Sequence, residues 1–322
     1  MQQSRDELLK AYRVMSRIRE FDERLHVEFA TGEIPGFVHL YAGEEAVAAG
    51  ICAHLNERDY IASTHRGHGH CIAKDCDVTG MMAEIYGKSA GLCGGKGGSM
   101  HIADLDKGMM GANGIVGAGT ALVCGAALSA KTLGTGGVAV AFTGDGGSNQ
   151  GTVFEAMNLA SVWSLPAIFV FENNGYGEAT ASEWALAGGD IVRRAQAFAM
   201  PGHQVDGNDY FAVWDAMRQA TERARAGQGP SLIECKMKRY YGHFEGDTQN
   251  YRAKEEIETL RAEKDCMKRF RARVGEAGLI DAAALDAIDA EAKAEIDAAV
   301  KTAKAASTPP ASALMTDVYA SY

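Results

Sequence analysis

Two short stretches of the chain place polar residues where chemistry could be done. The first, Thr143-Gly144-Asp145-Gly146-Gly147-Ser148-Asn149-Gln150-Gly151, follows the apolar run 138–142. The second, Glu172-Asn173-Asn174-Gly175-Tyr176, closes the apolar run 167–172. A glycine-rich turn between strand and helix ordinarily offers backbone N–H groups to a phosphate, and a carboxylate at its centre would repel one. A P-loop does not resolve the conflict. It needs Gly-Lys followed by Ser or Thr, and the candidate at 94–100, Gly-Gly-Lys-Gly-Gly-Ser-Met, lacks the hydroxyl residue and a leading strand. A dinucleotide fingerprint fits Gly144 and Gly146 but finds Asn149 in the third glycine place, with the acidic residue inside the turn. A divalent cation does resolve it, because the ion inverts the local charge and lets a carboxylate share a site with a diphosphate. Mg²⁺ takes oxygen ligands, one or two from protein and the rest from phosphate and water. The second ligand should come from the end of the next parallel strand, where carboxamide and backbone carbonyl oxygens are available.

The elements that position these residues follow from apolar spacing. The runs 138–142 and 167–172 read as buried strands, and the segment 149–163 between them as a helix. Together they form a βαβ unit, which implies a parallel sheet. Leu8, Leu9, Tyr12, Met15, Ile18, Leu25 and Phe29 recur at helical spacing over 5–30. Gly32, Pro35 and Gly36 break that helix, and another restarts near Glu44. A short strand and a histidine-rich loop span 59–75, a glycine-rich loop spans 91–119, and helices are expected at about 117–131 and 208–227. The stretch 230–240 reads as a further strand, 252–305 as charged, alanine-rich helix, and the tail from 307 as extended. The fold class is α/β, a parallel sheet flanked by helices. Residues 1–250 form the ligand-binding domain, and 251–322 a helical C-terminal extension packed on it.

Composition narrows the function classes. The 38 glycines cluster at 87–119, 134–151 and 173–189, marking backbone that needs positive φ or close approach to a ligand. A net charge of −10 argues against a nucleic-acid surface. No apolar stretch approaches the roughly 18 residues of a membrane span, and the polar, then amphipathic start does not read as a secretory signal. Seven cysteines without a Cys-x-x-Cys pair read as reduced thiols in a cytoplasm, and Cys71 and Cys76 lack zinc-site spacing. His65, His68 and His70 lie close in sequence, without a Cys or carboxylate at ligand spacing, so contact with phosphate or substrate is expected of them before a metal.

Gly144-Asp145-Gly146, a helix, an apolar strand and Asn173-Asn174 together resemble the thiamine-diphosphate/Mg²⁺ signature. Further stretches, 36–46, 94–101, 113–119 and 239–243, extend the likeness over about residues 5–305. They resemble the alpha subunit of the decarboxylating component of 2-oxo acid dehydrogenase complexes. The loops at 63–75, 101–119 and 240–252 are most similar to those of its acetoin-cleaving branch. The resemblance implies a thiamine-diphosphate-binding fold with Mg²⁺ held by Asp145, the Asn174 side chain and the Tyr176 carbonyl, and with Asn173 bracing the loop. It implies diphosphate contacts from Arg66, Gly146 and Gly147, cofactor binding also at Gly144, and aminopyrimidine contacts from Gly114 and Val116. His39, His65 and His243 are the implied catalytic histidines. His243 also contacts cofactor, from a mobile loop at the site's mouth, and His65 stands where pyruvate-type relatives have tyrosine. Phe244 replaces a serine that eukaryotic pyruvate-type relatives phosphorylate. His101 and His203 are expected to be structural.

The implied reaction cleaves acetoin to acetaldehyde and a hydroxyethyl group, passed oxidatively as acetyl to lipoamide on a partner acyltransferase. Its proton transfers call for a base near neutral pH, which suits histidine. The glutamate that thiamine enzymes place against the pyrimidine belongs, in this family, to a separate beta chain, so an α₂β₂ heterotetramer is expected and the isolated chain should be inactive. A pyruvate or branched-chain 2-oxo acid dehydrogenase alpha subunit is the alternative. A nucleotide-binding oxidoreductase and a non-catalytic homologue are more distant rivals.

Overall fold

The computed structural model describes residues 3–253 and 255–319. Its sheet contains β1 (Tyr60–Ala62), β2 (Ala139–Gly144), β3 (Ala167–Asn173), β4 (Gly202–Asp206) and β5 (Ser231–Lys236). The spatial order is β1-β2-β3-β5-β4, and every pairing is parallel. β2, β3 and β5 are buried along almost their whole length, which is why they read as unbroken apolar runs.

Alternate strand residues feed two cores on opposite faces. On one face Val140, Phe142, Ile168, Val170 and Ile233 pack with residues of α1 (Arg5–Phe29), α2 (Glu45–Cys52), α3 (His68–Ala73) and α4 (Val78–Ile85). On the other, Ala139, Ala141, Phe169 and Phe171 pack with α5 (Gly119–Leu133) and α6 (Gly151–Val162). Each fully buried Phe, Val or Ile contributes about 1.5–3 kcal/mol, so the βαβ unit is among the most firmly held parts of the chain. α7 (Tyr210–Arg225) joins the first face through Val213 and Met217.

Three expectations change. β4 was not foreseen: its five residues, Gly-His-Gln-Val-Asp, alternate between exposed and half-buried on the sheet edge and carry little apolar signal. The charged stretch 252–305 is three helices, α8 (Glu256–Glu263), α9 (Cys266–Glu276) and α10 (Ala282–Ala305). Asp265 and Asp281 divide it, each accepting backbone N–H groups at the start of the next helix. Phe270, Val274, Leu285 and Ile288 pack on Leu8, Tyr12 and Met15 of α1. The tail, expected to be extended, turns through a short 3₁₀ helix at Ala311–Met315. The outermost ends of the expected ranges 1–250 and 251–322 lie outside the described residues.

Candidate active site

β2 and β3 end side by side, with Gly144 in register with Glu172. Asp145 and Asn174 therefore emerge together at the carboxyl edge of the sheet, where open parallel sheets bind ligands. A cavity of about 340 Å³ opens there. His39, His65, Arg66, Gly114, Val116, Gly144, Asp145, Gly146, Gly147, Asn174, Tyr176 and His243 all line it, so residues spread over some 200 positions of sequence meet in one space.

Asp145 is 3% exposed, and its Oδ2 is buried without a hydrogen-bond partner. Burial pushes its pKa up, against the Gly146 N–H and the charges of Arg239 and Lys238. An orphaned buried charged oxygen costs at least about 1–3 kcal/mol, which marks a place for a cation. Asn174 donates from Nδ2 to Glu44 Oε1 at 3.0 Å, while its Oδ1 accepts from the Tyr176 N–H at 3.3 Å. The Tyr176 carbonyl accepts from Arg239 Nη1 at 3.1 Å, leaving its second lone pair available. The glycine turn is tight because backbones meet: a Cβ on Gly146 would lie 3.1 Å from Gly177 Cα, and one on Gly147 3.3 Å from Val116 Cβ. Carboxylate, carboxamide and carbonyl oxygens are the donor set of a hard cation, and the adjacent Gly146-Gly147 turn leads into the N-terminus of α6. The residues present fit a diphosphate bridged by Mg²⁺.

Arg66 is buried, and burial lowers its pKa to about 10. Its guanidinium donates to the Leu40 carbonyl and, at 2.9 Å, to the His243 carbonyl. It thus ties together the loops bearing His39 and His243 as well as facing the cavity. Arg239, absent from the expectations, is 1% exposed, lines the cavity and keeps Nε unpartnered. Its position in Arg-Tyr-Tyr-Gly-His was the available signal. Glu44 and Glu172 were also missed. Burial pushes the Glu44 carboxyl up to about 8, with the Arg66 charge pulling the other way.

The histidines separate into two groups. His39, His65 and His243 cluster with ring centroids 4.3–5.0 Å apart. Burial, followed by nearby positive charge, holds His65 down to about 3, His243 to about 4 and His39 well below its ordinary value. These imidazoles are neutral at pH 7, a correction to the expected base titrating near neutrality. His68 and His70 lie at the start of α3, fully buried, and do not line the cavity, which overturns the expected phosphate or substrate contact. His68 bridges Asp22 (2.8 Å) and Ser99 (2.9 Å), and His70 bridges Ser63 (2.7 Å) and Glu172 (2.9 Å). Both arrays have the residue types of a hydrolase triad, but Ser99 and Ser63 are buried and do not line the cavity. They act as struts. Asp22 also accepts the Tyr41 N–H, and the Tyr41 hydroxyl donates to Glu172, which fixes the His39 loop.

Asn173 braces β3 against β5 by donating to Glu234 at 2.8 Å. The Gly-Gly-Lys-Gly-Gly loop encloses a carboxylate rather than a phosphate. Buried Glu84 accepts the N–H groups of Cys93, Gly95, Gly97 and Gly98 at 2.7–3.1 Å. His101 is exposed, its ring beside Gly114, and half-buried His203 lies in β4. All seven cysteines are free, and among the described residues no helix is long and apolar enough to cross a membrane.

A doubly covered parallel sheet with an orphaned aspartate, an oriented asparagine and buried arginines at its carboxyl edge defines an α/β protein with a cation-and-anion pocket. Residues 13–312 match the family model described as dehydrogenase E1 component. The chain is 60% identical over 99% of its length to the alpha subunit of acetoin:2,6-dichlorophenolindophenol oxidoreductase of Cupriavidus necator, covering 96% of that protein. It is 56% identical over 98% of its length to the Bacillus subtilis protein of the same description, covering 95% of it. A pyruvate dehydrogenase E1 component subunit alpha of Rhizobium meliloti is 39% identical over 98% of this chain and 90% of its own length. The chain belongs to the dehydrogenase E1 component family, and the family implies thiamine diphosphate as its cofactor.

Proposed function

We propose that the chain is the alpha subunit of a thiamine-diphosphate-dependent acetoin dehydrogenase, working with a beta chain in an α₂β₂ assembly in the cytoplasm. Mg²⁺ would be held by Asp145, Asn174 Oδ1 and the Tyr176 carbonyl. Gly146 and Gly147 would donate N–H groups to the diphosphate, with Gly144 opening the turn and Arg66 and Arg239 adding positive charge. Gly114 and Val116 would meet the aminopyrimidine. When bound, thiamine diphosphate supplies the carbanion stabilisation that cleaves the carbon–carbon bond beside the carbinol of acetoin.

The chain's own residues bind, orient and move protons. His39, His65 or His243, kept neutral at pH 7, can accept the acetoin hydroxyl proton on a free ring nitrogen; His39 Nδ1 and His243 Nδ1 are both unpartnered. Burial is the larger cause of their depressed pKa values; an anion beside Arg66 would offset only the smaller part that comes from that positive charge. Acetaldehyde leaves, and the remaining two carbons pass as acetyl to lipoamide of an acyltransferase. The missing pyrimidine-facing glutamate would come from the beta chain.

The observation that carries this reading is the orphaned Asp145 Oδ2, with Asn174 lining the same cavity from the end of the neighbouring strand. The greater likeness to the acetoin-acting relatives supports acetoin over pyruvate or a branched-chain 2-oxo acid. Calorimetry of the purified chain tests the cofactor: thiamine diphosphate should bind only with Mg²⁺, and NAD should not bind. Co-expression with a beta chain tests the substrate: acetoin should release acetaldehyde without CO₂. Turnover by the isolated chain, or CO₂ release from pyruvate with no acetoin cleavage, would refute the assignment.

A further inference from the structure

We propose that His39, His65 and His243 form a second metal site, for an exchangeable divalent transition ion such as Zn²⁺ or Co²⁺, separate from the oxygen site of Asp145 and Asn174. One ring nitrogen from each residue lies within 4.8 Å of the others. His39 is nine-tenths buried, and its Nδ1 has no partner; nor does His243 Nδ1. The three rings come from the 39, 65 and 243 loops, which Arg66 clamps through its bonds to the Leu40 and His243 carbonyls.

Zinc–imidazole bonds of 2.0–2.1 Å in tetrahedral geometry place ligand nitrogens roughly 3.3 Å apart. Closing from 4.8 Å asks each ring to move inward by under about 1 Å, within reach of side-chain rotation. Three neutral imidazoles with a fourth position open to a cavity make the ligand set of an open zinc site. The depressed basicity of the rings helps, since a proton does not compete for the nitrogens at pH 7.

Ligand softness separates the two ions. Mg²⁺ prefers carboxylate, carbonyl and water oxygens, whereas imidazole suits Zn²⁺ and Co²⁺. The set lacks a carboxylate, and Arg66 and Arg239 add repulsion, so the ion is exchangeable rather than resident. Its consequence rests on the reading above. An ion on these rings removes the nitrogens needed for proton transfer and inhibits reversibly, with no loss of Mg²⁺ from its own site.

The test uses the full chain, freed of metals and titrated with Co²⁺ in millimolar Mg²⁺, without cofactor. Four- or five-coordinate Co²⁺ absorbs strongly in the visible, and octahedral Co²⁺ does so weakly. The expected result is one strongly absorbing equivalent, displaced by Zn²⁺. His65→Phe and His243→Gln should each weaken it at least about tenfold, with both variants checked for intact thermal unfolding, and Asp145→Ala should leave it unchanged. Weak octahedral absorption alone, or a signal that survives both histidine variants or is lost in Asp145→Ala, overturns the proposal. Because no cofactor is present, this result is independent of whether the chain binds thiamine diphosphate. In the α/β enzyme, Zn²⁺ should inhibit and a chelator restore activity.

Discussion

Replacing Asp145 by Asn separates stability from ligand binding. Without ligands, the wild-type chain buries a carboxylate at 3% exposure with Oδ2 unpartnered. Asn has the same shape and no charge, so the variant should be more stable by about 1–2 kcal/mol at neutral pH. For a chain of this size that is a rise of roughly 1.5–3 °C in Tm. The pH dependence follows from the sign of the shift. The folded-state pKa of Asp145 is raised by burial, so the folded protein holds that proton more tightly than the unfolded one. Its contribution to stability is full below the unfolded value of about 3.9 and is lost as pH rises through the raised value. The variant lacks this loss, so its advantage should appear at neutral pH and vanish in acid. With thiamine diphosphate and Mg²⁺ at a hundredfold excess over Kd, wild type should gain about 2.7 kcal/mol and the variant nothing. The two melting curves should therefore exchange order on adding both ligands. The assay is differential scanning fluorimetry with and without each ligand. The reasoning fails if the variant is less stable than wild type without ligands, or if both ligands together still raise its Tm.

Other substitutions probe the surroundings. Gly146→Ala would bring Cβ to 3.1 Å from Gly177 Cα, prising the Asp145 turn from the Asn174 loop; at an overpacking cost of about 1–3 kcal/mol, Mg²⁺-dependent cofactor affinity should fall tenfold or more by calorimetry, with far-UV circular dichroism unchanged. Glu44, pushed up to about 8 in the folded chain, contributes stability that is full below about 4.3 and is lost as pH climbs through about 8; Glu44→Gln should flatten denaturant midpoints over pH 5–9, and an unchanged slope would count against a buried, protonated Glu44. His68→Ala takes one hydrogen-bond partner from buried Asp22, which keeps the Tyr41 N–H, and removes the imidazole from buried Ser99, so it should lower stability by about 1–3 kcal/mol in urea unfolding; a loss below about 0.5 kcal/mol would mean that the Asp22-His68-Ser99 array is not a strut.

Much of the sheet could be read from the sequence because β2, β3 and β5 are buried on both faces and leave continuous apolar runs. The meeting of Asp145 and Asn174, the proposed cation ligands, was readable for a local reason: each follows the end of one of two neighbouring parallel strands, so both reach the same edge of the sheet. β4 escaped because an edge strand with one wet face carries polar residues such as His203 and Gln204. Arg239, Glu44 and Glu172 escaped because their roles arise from distant pairings, Glu44 with Asn174 and Glu172 with His70, which no spacing encodes. The same holds for the histidines. Sequence grouped His65 with His68 and His70, but helix α3 turns the latter pair into the core, and His65 meets His39 and His243 instead.

The most direct measurement is the anomalous scattering of Mn²⁺, substituted for Mg²⁺, in crystals of the chain with its beta subunit and thiamine diphosphate. The account predicts a peak at about 2.1 Å from an Asp145 carboxylate oxygen, Asn174 Oδ1 and the Tyr176 carbonyl, with diphosphate oxygens completing the shell. A diphosphate seated there without a peak, or a peak with Asp145 and Asn174 outside its shell, would contradict it.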